Sequence, residues 1–166
     1  HLPAFIVDDG VAASLAATAL AVIGFTNIIG SYGAGILGGR MAKKNVLSAI
    51  YVLRSVVIAV FILSPVSDVS ILVFAGFMGV LWLSTVPLTS GLVADMFGVR
   101  YMATLFGIVF PSHQLGGFLG AWLGGYVFGL TGSYDAVWWL SVALGLMSAA
   151  FHLPISDRPV ARLANA

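Results

Sequence analysis

Five long apolar stretches follow one another along the chain, separated by short polar connections. Each stretch is close to or above the roughly 20 apolar residues that a helix needs to cross a bilayer. The connections are short and no linker rich in proline, serine or charge divides the chain, so we predict one helical domain. The predicted spans cover residues 12–39, 45–64, 69–97, 103–130 and 135–154.

Charged residues lie almost entirely between the predicted spans, and their sign alternates from one connection to the next. Basic residues collect in cytoplasmic connections of membrane proteins, so this alternation predicts a threaded chain with its amino end outside and its carboxyl end in the cytoplasm. The basic side carries Arg40, Lys43, Lys44, Arg100, Arg158 and Arg162, and the opposite side carries Asp8, Asp9, Asp68 and Asp135.

The composition agrees with a lipid environment. Hydrophobic residues make up 60% of the 166 residues and charged residues only 8%, whereas soluble domains average about 25% charged residues. The chain has no cysteine, which excludes disulfides and thiolate metal sites. A net charge of +1 gives no reason to expect a nucleic-acid partner. We also find no metal cluster, phosphate loop or nucleophile–base pair, and therefore predict no cofactor and no catalytic residue.

Small residues recur at four-residue spacing in the first and fourth spans. Such stripes let helices pack closely in lipid, where apolar surface gives no drive to associate. We therefore expect these two spans to be the tightly packed ones, and the second and fifth spans to face lipid over more of their surface. The stripes consist of Asn27, Ser31, Gly35 and Gly39, of Gly116, Gly120 and Gly124, and of Gly117, Ala121, Gly125 and Gly129.

The two glycine-rich spans run in opposite directions and are separated by two other spans. If one helix precedes Asp8, the chain becomes two triplets of opposite orientation, which is typical of secondary transporters. The chain begins His1-Leu2-Pro3 rather than with methionine, so we expect it to be a fragment of a longer protein.

Arg54 lies near the middle of the second span, where a charge costs about 2.5–3.5 kcal/mol on insertion scales. It should therefore face other helices and find a partner, and Asp95 is the only carboxylate in the interior of a span. One interpretation is a structural Arg54–Asp95 pair that fixes helix packing. The other is a charge that attracts an anionic solute.

His113 and Gln114 follow Pro111 in the fourth span. Histidine titrates near physiological pH, so His113 could carry a proton along a transport pathway. It could equally donate one hydrogen bond between helices.

The third span has a proline and several hydroxyl side chains around its middle. This combination is typical of a bent helix that lines a cavity, because local polar groups repair the interrupted backbone. The pathway candidates here are Trp82, Ser84 and Thr85, with Pro87 nearby. Trp82 could also be a packing residue, and Asn27 in the first span could serve as interhelical glue.

Three segments resemble the major facilitator superfamily. GILGGRMAKKNVL, residues 35–47, is similar to the loop after the second helix of each half, although Gly39 replaces the acidic residue of that motif. ADMFGVRYMATLFGIVF and HQLGGFLGAWLGGYVFGLTGSY resemble the loop before the eleventh helix, and that helix itself, in the monocarboxylate-transporter-like branch. The resemblance covers the whole chain as helices eight to twelve with the end of helix seven.

The resemblance implies an all-α membrane protein, the C-terminal half of a twelve-helix transporter. Such a half would move a small solute, such as a monocarboxylate or another organic anion, by alternating access against an N-terminal six-helix half. In the family the glycine-rich loop takes part in a charge-paired gate, which implies gating roles for Arg40, Asp95 and Arg100. Simple topology anchoring is the alternative for Arg40.

The expected location is the cell membrane, in a bacterium the inner membrane. The alternative function is a membrane-embedded structural or assembly subunit without transport. The sequence does not indicate an enzyme.

Overall fold

The computed structural model describes residues 2–8 and 10–160. Arg162 and Asp9, two of the predicted topology charges, lie outside the described residues. The elements in the described part are helices, in the order α1 Leu2–Asp8, α2 Ala13–Arg40, α3 Lys43–Leu63, α4 Asp68–Trp82, α5 Thr85–Phe97, α6 Val99–Thr131 and α7 Asp135–His152.

Local sequence explains where several helices begin and end. Ser67 caps α4, because its hydroxyl accepts from the Ser70 amide at 3.2 Å while the Ser70 hydroxyl accepts from the Ser67 amide at 2.9 Å. Gly98 and Gly132 adopt positive φ of 84° and 69° at the ends of α5 and α6. This backbone conformation favours glycine and stops each helix.

Three stretches of the described chain are long and apolar enough to cross a membrane by length and composition. They are α2, α3, and α4 together with α5 over Asp68–Phe97. The predicted fourth and fifth spans form the helices α6 and α7 but are not among these three. Glycine and polar residues dilute the apolar character of α6, and Asp135 and His152 occupy the ends of the 18-residue α7.

The core has two apolar clusters, and α3 contributes to both. The first cluster joins α1, α2, α3 and α4 through Ile6, Ala16, Ala19, Ile58, Phe61, Ile71, Phe74, Ala75 and Met78. The second joins α2, α3, α4 and α5 through Ala34, Val46, Leu47, Ile50, Leu81, Leu88 and Leu92. The most extensive helix contacts are those of α2 with α4 and of α3 with α7.

Within the described chain, the second span does not expose more of its surface than the first and fourth spans, contrary to the prediction. α3 buries seven residues, Val46, Leu47, Ser48, Ile50, Ser55, Ile58 and Phe61. Two serines strengthen its contact with α7: Ser48 donates to the Ala149 carbonyl at 2.9 Å and Ser55 to the Val142 carbonyl at 3.2 Å. A row of branched apolar residues can pack against protein as well as lipid, so its composition did not reveal this central position.

Within the described chain, the packing stripe of α2 is displaced by one residue from the predicted one. A Cβ built on Gly35 or Gly39 would have no atom of a neighbouring element within 4 Å. The buried small residues are instead Gly30, Ala34 and Gly38, which also recur every four residues. Neighbouring positions lie about 100° apart around a helix, and both stripes consist of small residues, so their spacing did not distinguish them.

The prediction of a tightly packed fourth span is also not met within this chain. α6 lies at the edge of the described structure against α5 and α7, and Gly124 is its one buried residue. Gly116 and Gly120 have open space beside them, as do Gly117, Gly125 and Gly129. Most of the stripe glycines therefore face open space in the described chain, and Gly124 is the buried exception.

The charge pattern corresponds to two ends of the folded molecule. At one end, Lys44 donates to the Ile155 carbonyl at 2.7 Å, and the Val160 amide donates to the Met96 carbonyl at 2.9 Å. These contacts gather the α2–α3 connection, the end of α5 and the carboxyl tail. Asp8 and Asp135 line one cavity elsewhere, beside the α6–α7 turn.

Candidate functional site at the helix break

The third predicted span, for which Pro87 and its hydroxyl neighbours predicted a bent helix, is interrupted at its middle. α4 ends at Trp82 and α5 begins at Thr85. Pro87 has no amide hydrogen to give to the carbonyl four residues earlier, and the Leu83 carbonyl accepts from the Val86 amide at 3.0 Å instead. The interruption leaves the last carbonyls of α4 in need of other partners.

Arg54 of α3 supplies those partners. Its Nη2 donates to the Leu81 carbonyl at 2.6 Å and to the Trp82 carbonyl at 3.0 Å. The guanidinium also lies 5.3 Å from the ring centre of Tyr51 and 5.9 Å from that of Trp82. A cation at the carboxyl end of a helix is favourable because that end carries partial negative charge.

The predicted pairing of Arg54 with Asp95 was therefore wrong. In the part of the chain that the structure describes, Asp95 pairs with Lys43 instead, the Nζ and Oδ2 atoms lying 2.6 Å apart. Backbone carbonyls accept from Nη2 of Arg54 because the interruption of α4 places two of them within reach. Its Nε remains buried, with no hydrogen-bond partner among the described residues.

Asn27 of α2 reaches the same break. Its Oδ1 accepts a hydrogen bond from the Leu83 amide at 3.2 Å. Close approach of α2 depends on Gly30, because a Cβ added there would overlap the Val80 carbonyl oxygen. The Ser84 hydroxyl, which is buried, donates to that carbonyl. The break is thus bonded by α2, by α3 and by its own serine.

Five of the seven predicted pathway residues meet at this break: Asn27, Arg54, Trp82, Ser84 and Thr85. Trp82 keeps 54% of its surface exposed, and Thr85 is half-buried at the first position of α5. The site therefore combines an aromatic ring, hydroxyl side chains and the hydrogen-bonded guanidinium of Arg54, midway along a membrane-length segment. This arrangement can present polar groups to a solute while keeping the interrupted backbone bonded.

His113 and Gln114 do not take part in this site. Both are exposed on α6, and the His113 ring lies 6.1 Å from the ring of Phe110 on the same helix. α6 continues through Pro111 without a break. Sequence reasoning grouped these residues with the pathway because they follow a proline, but that proline does not interrupt its helix.

A second polar contact lies at the basic end of the molecule. Lys43, at the start of α3, pairs with Asp95 near the end of α5, and their side chains are 23% and 44% exposed. The stem of Lys43 crosses α5 at Gly91, where an added Cβ would come 2.7 Å from the lysine Cε. Arg40 is exposed and forms no ion pair with a described residue, and Arg100 stacks over Tyr101 at 5.7 Å.

Sequence reasoning missed Lys43 and Tyr51 as site residues. The sequence favours a topology charge at Lys43, because its partner Asp95 lies 52 residues away and no local pattern indicates it. Tyr51 lies three residues before Arg54, on the same helix face, and this spacing could have indicated the contact.

The family follows from a comparison with protein-family models. Residues 2–166 match the model of the Major Facilitator Superfamily. The chain belongs to this superfamily. It is accordingly a transmembrane protein of a transporter family, as its apolar helices and the resemblance predicted.

One similar curated protein is the "Uncharacterized MFS-type transporter YcxA" of Bacillus subtilis (strain 168). The two are 26% identical over 149 residues, which is 86% of this chain and 36% of that protein. The chain thus spans about a third of the length of the relative that it matches. No solved structure gives a significant match.

Proposed function

We propose that this chain is the C-terminal half of a secondary transporter that moves a small solute by alternating access. The observation that carries the proposal is the break between α4 and α5, where Asn27, Arg54 and Ser84 gather around interrupted backbone. Broken helices with polar partners at mid-depth are typical of substrate sites in secondary transporters. Membership of the Major Facilitator Superfamily supports the same function.

The N-terminal half of such a transporter would cover surfaces that this chain leaves open. Large apolar side chains are exposed along α2 and α6, among them Phe25, Ile28, Phe118 and Trp122. The open glycine faces of α6 would allow another helix to approach closely. We infer that α6 completes its packing against an N-terminal six-helix half and lipid, and that α6 and α7 are the fourth and fifth spans.

The proposed solute is a small organic anion of the monocarboxylate class. The resemblance to the monocarboxylate-transporter-like branch suggests it. A cationic Arg54 at the break agrees with it, because the described residues offer this arginine no carboxylate partner. His113 is retained as a candidate proton carrier for coupling.

The Lys43–Asp95 pair is the proposed gate contact at the inner end. It joins α3 to α5, so breaking and reforming it would accompany relative movement of these helices. The role that the resemblance implied for Arg40 and Arg100 passes, in this proposal, to Lys43. The basic end is proposed to face the cytoplasm of a bacterial cell.

The test is uptake by the intact parent protein in liposomes, with radiolabelled lactate and pyruvate as probes and an inward proton gradient. We expect uptake above that of protein-free liposomes, a reduced rate for Arg54→Ala, and weaker dependence on the proton gradient for His113→Ala. Unchanged uptake in both variants would remove these residues from the mechanism. Absence of uptake, together with stable association with another membrane protein, would instead favour an assembly subunit.

A further inference from the structure

The break between α4 and α5 is held by side chains from two other helices. Residues Leu81, Trp82 and Leu83 are consecutive, and each has a backbone group bonded from outside its own helix. Arg54 of α3 donates to the carbonyls of the first two residues, and Asn27 of α2 accepts from the amide of the third. A segment bonded in this way cannot rotate without losing bonds to both neighbours.

The arginine suits this task better than other donors. One nitrogen, Nη2, presents two N–H groups, and these reach two successive carbonyls at 2.6 and 3.0 Å. The planar group also contacts the Trp82 ring at 5.9 Å, a distance at which cation and ring attract. Arg54 therefore fixes both the backbone of Trp82 and the position of its partly exposed ring.

The cost of placing this arginine in a membrane indicates that it does more than fill space. An apolar residue of similar length would avoid the cost of inserting a charge into the membrane. Among the described residues the one ion pair is Lys43–Asp95, so no carboxylate offsets the charge of Arg54. The partial negative charge at the carboxyl end of α4 offsets the charge of Arg54 instead.

We infer that Arg54 and Asn27 are positioning residues, which clasp the α4–α5 break from two helices and fix the orientation of α5 and of the Trp82 ring. The consequence for transport rests on the proposed function. The clasp itself is a property of the backbone, and it can be measured without a substrate.

Hydrogen exchange of the purified full-length protein in detergent, followed by mass spectrometry, tests this inference. The variants are Arg54→Met, which keeps the length of the side chain but removes every donor, and Asn27→Leu, which removes the acceptor. In each variant we expect exchange of the amides of residues 83–86 to rise about tenfold, the equivalent of losing one net hydrogen bond. Exchange in the first three turns of α4 should stay unchanged.

The controls separate a local clasp from general stability. Lys44 is on the same helix as Arg54 and donates to the Ile155 carbonyl. Lys44→Met removes this cation and should leave the hydrogen exchange of residues 83–86 unchanged. Arg54→Lys keeps the charge without the planar pair of donors, so its exchange should fall between those of the parent and Arg54→Met. Arg54→Met should fold, since it removes a charge from the membrane interior.

Two results would overturn the inference. One is unchanged exchange at residues 83–86 in both Arg54→Met and Asn27→Leu. The other is an equal rise throughout α2 to α5, which would show general loosening. Absence of lactate and pyruvate uptake by the parent, with the local rise present, would contradict the proposed function and leave the clasp standing.

Discussion

Individual polar side chains in this protein have partners that their chemistry allows but their sequence positions do not specify. Arg54 could have paired with a carboxylate, yet it bonds two backbone carbonyls of α4. Asp95 pairs with Lys43, 52 residues away. The choice follows from which helices are adjacent and how far each side chain reaches.

The Lys43–Asp95 pair should contribute little to stability because both side chains are partly exposed. We expect Lys43→Gln and Asp95→Asn each to lower the free energy of unfolding by about 0–1 kcal/mol. The loss should shrink at high salt. Thermal melts of the purified full-length protein at low and high salt give the measurement.

Arg40→Gln is the matched control for this pair, since Arg40 forms no ion pair with a described residue. The double variant Lys43→Gln/Asp95→Asn should lose no more than either single variant. Additive losses would show that the two side chains do not interact.

At the scale of helices, α2 is positioned by small residues that permit backbone contact. Gly30 lies against the Val80 carbonyl, and Gly79 of α4 lies against Thr26 and Ile23. The two helices thus approach through a glycine from each side. This approach also brings Asn27 within reach of the break, so the packing of α2 on α4 determines the geometry of the candidate site.

Gly30→Ala should therefore destabilise the protein by about 1–3 kcal/mol, the range found for overpacked sites. Gly24→Ala on the same helix meets open space, and it should be neutral or stabilising by up to about 1 kcal/mol because alanine favours helix. Melting temperatures from fluorescence-detected gel filtration compare the two. An equal loss in both variants would contradict the contact.

At the scale of the whole molecule, one helix of the described chain is left largely uncovered. α6 has 33 residues, about 50 Å of helix, and buries Gly124 alone. Helices α2, α4, α5 and α7 pack against α3, whereas α6 lies at the edge. We expect lipid or further protein to cover the open side of α6.

We expect residues 1–166 expressed alone to be degraded or aggregated, and to be recovered when the preceding part of the parent protein is co-expressed. The proposed N-terminal half would bury the exposed faces of α2 and α6. Co-purification through a tag on either part, with yield by immunoblot, gives the measurement. Equal recovery with and without the other part would show that the interface is not needed for folding.

The arrangement of charges predicts which connections share a side of the membrane. Single cysteines at Ala42, between α2 and α3, and at Val66, between α3 and α4, should react differently with an impermeant maleimide on intact cells. The Val66→Cys variant should be labelled and the Ala42→Cys variant should not, until the cells are opened. Equal labelling would contradict the predicted threading of the chain.

The sequence by itself determined the helical class, the membrane environment, the alternation of charge and the break in the third span. These properties depend on local composition, on hydropathy over about twenty residues, and on a proline that lacks an amide hydrogen. The tertiary structure decided that Gly30 rather than Gly35 faces α4 and that α3 is central. It also decided that Arg54 bonds backbone carbonyls of α4 and does not pair with Asp95. These depend on helix rotation and neighbour choice, which similar stripes of small and branched residues leave open until the helices pack.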